Sequence, residues 1–150
     1  MTPKIKILLA DDEKDVREVM AKKIAREGYE VAVAKDGEEA WEKIKKEDPD
    51  VILLDLNMPK MDGFAVLRKL REEPPSKKWQ PVVIISGRTE LDDMQKGFSM
   101  EADHYITKPC HMADILKAIQ LMLNLIPQRK SKMEMDSDSH APSPNPPKSP

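Results

Sequence analysis

The chain has 150 residues, of which 39% are hydrophobic and 35% charged, and its formal net charge is −2 at pH 7. These values are typical of a soluble globular protein with one domain, and the near-neutral charge argues against a nucleic-acid-binding surface. No apolar run approaches the roughly twenty residues that span a bilayer, and the start of the chain lacks the features of a signal peptide. The single cysteine, Cys110, excludes an internal disulfide and suits a reducing cytosol, so we expect a cytoplasmic protein without a membrane partner.

Apolar runs and helical periodicities alternate along the chain. The runs with strand character are 5–10, 29–34, 51–54, 81–85 and 102–107. Each is followed by apolar residues at helical spacing, and Asp36 with Glu39 has the form of a capping box at the second helix. Thr89 is the expected cap of the fourth helix, and the fifth is expected from about 112 to 126. Five strands alternating with five helices predict an α/β fold, a doubly wound parallel sheet covered on both faces.

The character of the sequence changes after residue 126. Residues 127–150 are rich in proline and serine, carry charges of both signs and show no apolar periodicity. Such a segment cannot bury enough apolar surface to offset its conformational entropy. We therefore expect a folded domain over residues 1–126 and a disordered tail over residues 127–150.

Polar residues stand where the predicted strands end. Asp11 and Asp12 follow the first strand, Asp55 the third, Ser86 the fourth and Lys108 the fifth. The carboxyl ends of parallel strands meet at one edge of the sheet, where open α/β folds bind their ligands. Clustered carboxylates repel each other unless a cation shares them, and hard oxygen ligands suit Mg²⁺. A carboxylate nucleophile with a metal, a lysine and a hydroxyl is the set of groups that phosphoryl transfer to an aspartate requires.

The motifs at these strand ends, taken together, resemble those of the receiver domains of two-component response regulators. They are ADDE after the first strand, LLDLNMPKMDG around the end of the third, SG after the fourth and YITKP at the end of the fifth. The resemblance covers about residues 5–126. It implies a flavodoxin-like sheet with the strand order 2-1-3-4-5.

The resemblance implies a role for each residue of the acidic cluster. Asp55 would be the phosphoacceptor and a metal ligand, and Asp12 would bind Mg²⁺ directly. Asp11 would bind the metal largely through water, and the backbone carbonyl of Asn57 would complete the protein ligands. The chain would thus accept a phosphoryl group and assist its own phosphorylation and dephosphorylation, rather than act as an enzyme on a separate substrate.

The resemblance also implies how the phosphoryl group is delivered, held and read. The donor would be a sensor histidine kinase or a histidine phosphotransfer protein. Ser86 and Lys108 would contact the phosphoryl group, Ser86 and Tyr105 would form the switch, and Pro109 would follow a cis peptide bond. A downstream protein would read the change at the surface made by the fourth helix, the fifth strand and the fifth helix.

Several positions depart from the family pattern. Glu101 stands where the family usually has glycine, so the left-handed turn expected before the fifth strand is either strained or rebuilt. Cys110 replaces the usual phenylalanine after Lys-Pro, and the last helix lacks an arginine that commonly pairs across dimers. Leu121 and Leu125 lie off the apolar stripe of the last helix, and either a wide buried face or a partner surface would explain them.

No output domain is recognisable after the receiver-like segment, so we expect a stand-alone response regulator that acts by docking or phosphorelay. A phosphatase of the haloacid dehalogenase type would need a second aspartate two residues after the nucleophile, where Asn57 stands. A receiver that binds partners without phosphorylation would typically have lost Asp12, Asp55 or Lys108, and all three are present. A dinucleotide-binding fold is excluded because no glycine-rich loop follows the first strand.

Overall fold

A computed structural model describes residues 4–87, 95, 96, 98, 99 and 101–138, and for residues 126–138 it describes the backbone. The elements in this part of the chain are, in order, β1 (Lys6–Ala10), α1 (Lys14–Arg26), β2 (Glu30–Ala34), α2 (Gly37–Glu47), β3 (Val51–Leu54), α3 (Gly63–Glu72), β4 (Val82–Ser86), β5 (His104–Thr107) and α4 (Met112–Asp138). The helix α4 is the predicted fifth helix. Of the predicted fourth helix, Gln95, Lys96, Phe98 and Ser99 are helical, and the expected cap Thr89 lies outside the described residues.

The strands form one parallel sheet with the order β2-β1-β3-β4-β5. The prediction of a flavodoxin-like sheet with this strand order is therefore confirmed. β1 and β3 end at the same level, because Ala10 is paired with Leu54. β4 and β5 are likewise in register at their ends, where Ser86 is paired with Thr107. The residues that follow these strands consequently leave the sheet at a common edge.

The sheet separates two apolar layers. One layer contains side chains of α2 and α3 together with alternate strand residues such as Leu8 and Ile52. The other contains side chains of α1 and α4 together with the intervening strand residues such as Ile7 and Leu53. β1 and β3 are thus buried on both faces, which explains why they are continuous apolar runs rather than alternating ones.

The predicted cap of α2 is confirmed, and α3 begins in the same way. The Asp36 carboxylate accepts a hydrogen bond from the Glu39 backbone N–H at 2.8 Å, and the Glu39 carboxylate accepts one from the Lys35 backbone N–H at 2.7 Å. At α3, the Asp62 carboxylate accepts the Ala65 backbone N–H at 2.9 Å. Both caps satisfy donors at a helix start that have no partner within the helix. They fix the chain close to the sheet edge where β2 and β3 end.

The last helix is longer than the sequence predicted. It continues to Asp138, whereas the predicted helix ends at residue 126. Pro127 has no N–H to donate within a helix, which is why the sequence favoured an end before it. The following residues, QRKSKMEMD, are mostly good helix formers, so residues 127–138 are helical where disorder was expected. Residues 139–150 of the expected tail lie outside the described residues, and no helix in the described part is long and apolar enough to cross a membrane.

The turn before β5 is strained rather than rebuilt. Glu101 lies in the left-handed region with φ of 67°. Arg71 of α3 donates from Nε to the Glu101 carbonyl at 2.9 Å and from Nη2 to the Asp103 carboxylate at 2.9 Å. Asp103 also accepts the Val82 backbone N–H at 2.9 Å and the Trp79 indole N–H at 3.2 Å. A polar cluster formed by α3, the segment before β4 and the turn itself therefore holds this backbone in place.

Candidate functional site

Three aspartates lie together at the edge where β1 and β3 end. Asp11, Asp12 and Asp55 each offer a carboxylate oxygen, and these oxygens lie within 4.8 Å of one another. The sheet brings them together, since the Asp55 N–H donates to the Ala10 carbonyl at 3.0 Å. Asp11 and Asp55 are only 2% and 5% exposed, whereas Asp12 faces solvent. The acidic cluster that the sequence predicted is thus present, with two members buried and one accessible.

Lys108 contacts two of these carboxylates. Its Nζ lies 3.0 Å from Asp11 Oδ2 and 3.3 Å from Asp55 Oδ2. The lysine directly follows β5, and its backbone N–H donates to the Ser86 carbonyl at 2.8 Å. The peptide bond from Lys108 to Pro109 is cis, as the resemblance implied. The side chain therefore reaches the cluster from a strand that lies two positions away from β3 in the sheet.

Burial and charge together shift the pKa values at this site. Burial raises the pKa of Asp55 above its ordinary value, although the Asn57 backbone N–H and the charge of Lys108 oppose the shift. Burial by itself lowers the pKa of Lys108, but its hydrogen bond to Asp11 and the charges of Asp55 and Asp11 outweigh burial and raise the pKa overall. Lys108 is therefore charged at neutral pH. With three carboxylates against one ammonium group, a further cation is favoured here.

Asp11 also belongs to the start of α1. Its Oδ1 accepts a hydrogen bond from the Glu13 backbone N–H at 2.9 Å. Arg17, in the first turn of α1, donates from Nη1 to the Asp11 backbone carbonyl at 2.8 Å. Sequence reasoning missed Arg17, because neither the apolar pattern of α1 nor the ADDE motif marks it. Its contact fixes the backbone that carries Asp11 and Asp12.

The segment that follows Asp55 turns back along the sheet edge. The Asn57 backbone N–H donates to Asp55 Oδ1 at 3.1 Å. The Gly63 N–H donates to the Leu56 carbonyl at 3.0 Å, and a Cβ on Gly63 would lie only 2.8 Å from Leu56 Cα. This close approach requires glycine at position 63. It keeps Asn57, whose backbone carbonyl is an expected metal ligand, beside Asp55.

The two expected switch residues lie on neighbouring strands. Ser86, at the end of β4, is fully buried, and Tyr105 of β5 is 8% exposed and packs in the layer of α2 and α3. Residues 88–94, which follow the end of β4, lie outside the described residues. Leu121 on α4 is 46% exposed and lines a shallow groove with Tyr105, whereas Leu125 is partly buried. The groove between β5 and α4 thus has the exposed side chain of Leu121 at its rim.

The donor set of the acidic cluster fits a magnesium ion. Its ligand atoms are hard carboxylate oxygens, and no histidine or cysteine joins the cluster among the described residues. Mg²⁺ prefers such ligands, and it typically retains several waters while binding one or two carboxylates. The accessible Asp12 leaves room for those waters. The arrangement can therefore bind Mg²⁺ beside Asp55, a carboxylate that is within reach of a lysine.

Comparison with known proteins agrees with this geometry. The family model of the response regulator receiver domain matches residues 7–120. The alkaline phosphatase synthesis transcriptional regulatory protein PhoP of Bacillus subtilis is 36% identical over 118 residues, which are 79% of this chain and 48% of that protein. The response regulator MprA of Mycobacterium ulcerans is 33% identical over 130 residues, which are 87% of this chain and 53% of that protein. The chain spans about half the length of these curated relatives.

Solved structures show the same fold. The chemotaxis protein CheY4 of Vibrio cholerae superposes with a TM-score of 0.74 at 32% identity, covering 80% of this chain and 99% of that one. The BeF3-activated receiver domain of Klebsiella pneumoniae RstA superposes with a TM-score of 0.71 at 30% identity, covering 79% of this chain and 97% of that one. The strand order, the aspartate cluster and these matches lead to one conclusion. The chain belongs to the family of response regulator receiver domains of two-component systems.

Proposed function

We propose that Asp55 accepts a phosphoryl group from the phosphohistidine of a sensor histidine kinase or a histidine phosphotransfer protein, in a reaction that requires Mg²⁺. The observation that supports this most is the contact of Lys108 with Asp11 and Asp55 inside a cluster of three carboxylates. An ion pair that served only the stability of the fold would need one carboxylate. Three close carboxylates repel each other and lower stability, so their presence favours a chemical role.

In the transfer step, a carboxylate oxygen of Asp55 attacks phosphorus, the new O–P bond forms and the N–P bond of the phosphohistidine breaks. The imidazole leaves with the electron pair and takes up a proton from solvent. Lys108 stabilises the negative charge of the transferred oxygens, and with the Asn57 N–H it favours the ionised form of Asp55 that attack requires. When bound by Asp12, Asp55, the Asn57 carbonyl and, through water, Asp11, Mg²⁺ supplies further positive charge to those oxygens.

The proposal includes how phosphorylation is read. The phosphoryl group adds up to two negative charges and three acceptor oxygens beside Asp55. Ser86, at the end of the adjacent β4, would donate its hydroxyl and draw the following segment toward the site. Tyr105 would respond to that movement and alter the surface of the predicted fourth helix, β5 and α4, where Leu121 is exposed for a downstream protein. Phosphorylation would shift a population between two conformations that both exist beforehand.

The expectation that the chain acts as a stand-alone regulator, by docking or by phosphorelay, stays a prediction. The curated relatives are about twice as long as the segment they share with this chain. The site supports the phosphoryl-accepting step, and it is compatible with either way of passing the signal on.

Intact mass measurement with a small phosphodonor and Mg²⁺ tests the assignment. The parent chain should gain a single phosphoryl group, and Asp55→Asn should gain none. Asp62→Asn is the matched control, because Asp62 lies in the same loop but caps α3, and asparagine preserves the cap. If Asp55→Asn is labelled to the same extent as the parent chain, Asp55 is not the phosphoacceptor. A parent chain that is labelled neither by the small donor nor by a phosphorylated histidine protein would be a receiver that binds partners without phosphorylation.

A further inference from the structure

The loop between β3 and α3 contains an unusual turn at Lys60. This residue lies in the left-handed region with φ of 70°, and the Met61 N–H donates across it to the Pro59 carbonyl at 2.8 Å. A hydrogen bond between residues two apart with a positive φ between them defines a γ-turn of the rare, strained kind. This backbone conformation is unfavourable for lysine, and glycine or asparagine adopts it more readily. Such a turn persists only where its surroundings impose it.

Gly37, the first residue of α2, supplies one of these surrounding contacts. Its N–H faces the Pro59 carbonyl at 3.4 Å. A Cβ at position 37 would lie 2.6 Å from Met61 Cβ and would overlap the Met61 carbonyl. The helix cannot move away easily, because Ala40, Trp41 and Ile44 bury its inner face. Because Gly37 has no side chain, the γ-turn can pack against the start of α2.

The side chain of Lys60 supplies a second contact with the same helix start. Its Nζ lies 3.7 Å from Asp36 Oδ2 and 4.0 Å from Glu38 Oε1. The Asp36 side chain is itself buried and held by its bond to the Glu39 N–H at 2.8 Å. Lys60, whose side chain is 58% exposed, thus forms a long ion pair between the turn and the carboxylate that caps α2.

The opposite end of the loop is held by Gly63, whose N–H bonds to Leu56 and whose Cα lies against the backbone of Asp55 and Leu56. The segment 57–62 is therefore fixed at both ends. Asn57 lies at its start, with its N–H on the Asp55 carboxylate. Because this segment is short and held at both ends, we expect a shift of the γ-turn to displace the carbonyl of Asn57.

We propose that Gly37 and Lys60 are positioning residues for the metal site, an inference that rests on the proposed function. By packing the Pro59–Met61 turn against α2, they hold the Asn57 backbone beside the Asp55 carboxylate, to which the Asn57 N–H donates, and so fix the position of its carbonyl. Mg²⁺ demands nearly ideal octahedral geometry at short distances, so a ligand displaced by a few tenths of an ångström binds poorly. A displacement of the loop would consequently weaken Mg²⁺ binding.

The first test compares Gly37→Ala with Gly28→Ala in the full chain, with Mg²⁺ titrations followed by backbone NMR shifts. Gly28 also has a positive φ, of 97°, but an added Cβ meets nothing within 4 Å there and the residue lies beyond the far end of α1. We expect Gly37→Ala to bind Mg²⁺ at least about tenfold more weakly. Gly28→Ala should melt at a lower temperature and bind Mg²⁺ like the parent. Equal affinities of Gly37→Ala and the parent would overturn the inference.

Lys60→Gln provides the second test and decides the matter if Gly37→Ala does not fold. Removing a positive charge near a cation site strengthens Mg²⁺ binding if electrostatics alone acts. A positioning role predicts the opposite, a several-fold weaker affinity, together with faster amide exchange of Met61 in the protein without Mg²⁺. Unchanged or tighter binding in Lys60→Gln would refute the role of Lys60. A parent chain that does not bind Mg²⁺ at all would instead refute the proposed function.

Discussion

The buried ion pair between Arg71 and Asp103 should be the most destabilising polar contact to remove in the described part of the chain. The side chains of these residues are 10% and 3% exposed. The Asp103 carboxylate accepts three donors, from Arg71 at 2.9 Å, from Val82 at 2.9 Å and from Trp79 at 3.2 Å. The Arg71 guanidinium also stacks on the Trp79 ring, 3.9 Å from its centroid. One substitution at Asp103 therefore removes an acceptor from three donors that are buried or partly buried.

The expected magnitude follows from those contacts. Removing one partner of a buried ion pair costs about 3–5 kcal/mol, because the other charge is left without its counter-ion. Arg71 keeps two further acceptors, the carbonyls of Gln80 and Glu101, which places the loss near the lower limit. We expect Asp103→Ala to lower the free energy of unfolding by about 3 kcal/mol. Asp103→Asn keeps an acceptor but loses the charge, and should cost about 1–2 kcal/mol.

Urea denaturation followed by far-ultraviolet circular dichroism measures these losses without relying on Trp79, whose fluorescence the substitutions alter directly. Glu72→Ala is the matched control, since Glu72 is the exposed neighbour of Arg71 on α3 and its loss should change stability by less than about 0.5 kcal/mol. The m-values should agree among the variants. A loss below about 1 kcal/mol for Asp103→Ala at an unchanged m-value would show that the pair is not energetically important.

Three further outcomes follow from the structure. Glu101→Gly should stabilise the fold by roughly 0.5–1 kcal/mol, as measured by thermal melting. Relief of the left-handed backbone strain contributes about 1–2 kcal/mol, and the larger conformational entropy of glycine in the unfolded chain offsets part of it. Asp12→Ala should fold normally but bind Mg²⁺ at least about tenfold more weakly in an NMR titration, and a titration like that of the parent would remove Asp12 from the ligands. The Glu39 N–H holds the pKa of Asp36 below its ordinary value of 3.8. The ionised Asp36 carboxylate therefore stabilises the fold at pH values above 3.8, and this stabilisation is lost as the pH falls through the lower pKa of the folded state. Asp36→Asn should reduce this dependence of the free energy of unfolding on pH, as measured by urea denaturation at pH 2–6.

The sheet and the acidic cluster could be predicted because both depend on local patterns. Runs such as Val51–Leu54 are long enough, and apolar enough, to specify strands that are buried on both faces. Once the strands are parallel, their carboxyl ends must share an edge, so Asp11 and Asp55 come together without any knowledge of side-chain packing. The cap formed by Asp36 and Glu39 was predictable for the same reason, because its partners are three residues apart.

Apart from the contact of Arg17 with Asp11, the contacts that sequence reasoning missed join residues far apart in the chain. No local pattern pairs Trp79 with Asp103, 24 residues later, yet the Trp79 indole N–H donates to the Asp103 carboxylate. The fit of Gly37 against Met61 likewise depends on how α2 approaches the next loop, which no periodicity records. The error at Pro127 has a different origin. A proline removes one hydrogen bond of a helix, but the residues that follow Pro127 are good enough helix formers for α4 to continue.

The charge balance of the acidic cluster explains why a divalent cation suits it. Asp11, Asp12 and Asp55 together carry three negative charges when ionised, and Lys108 supplies one positive charge, so the cluster has a net charge of −2. A dication brings this sum to zero, whereas a monovalent ion leaves the buried carboxylates partly uncompensated. On the proposed function, phosphorylation replaces the single charge of Asp55 by up to two. The excess negative charge then requires new hydrogen-bond donors, and Ser86, at the end of the strand next to β3, carries a hydroxyl that would serve as one. The same balance that favours Mg²⁺ in the unphosphorylated chain would therefore favour a hydrogen bond from Ser86 to the phosphoryl group.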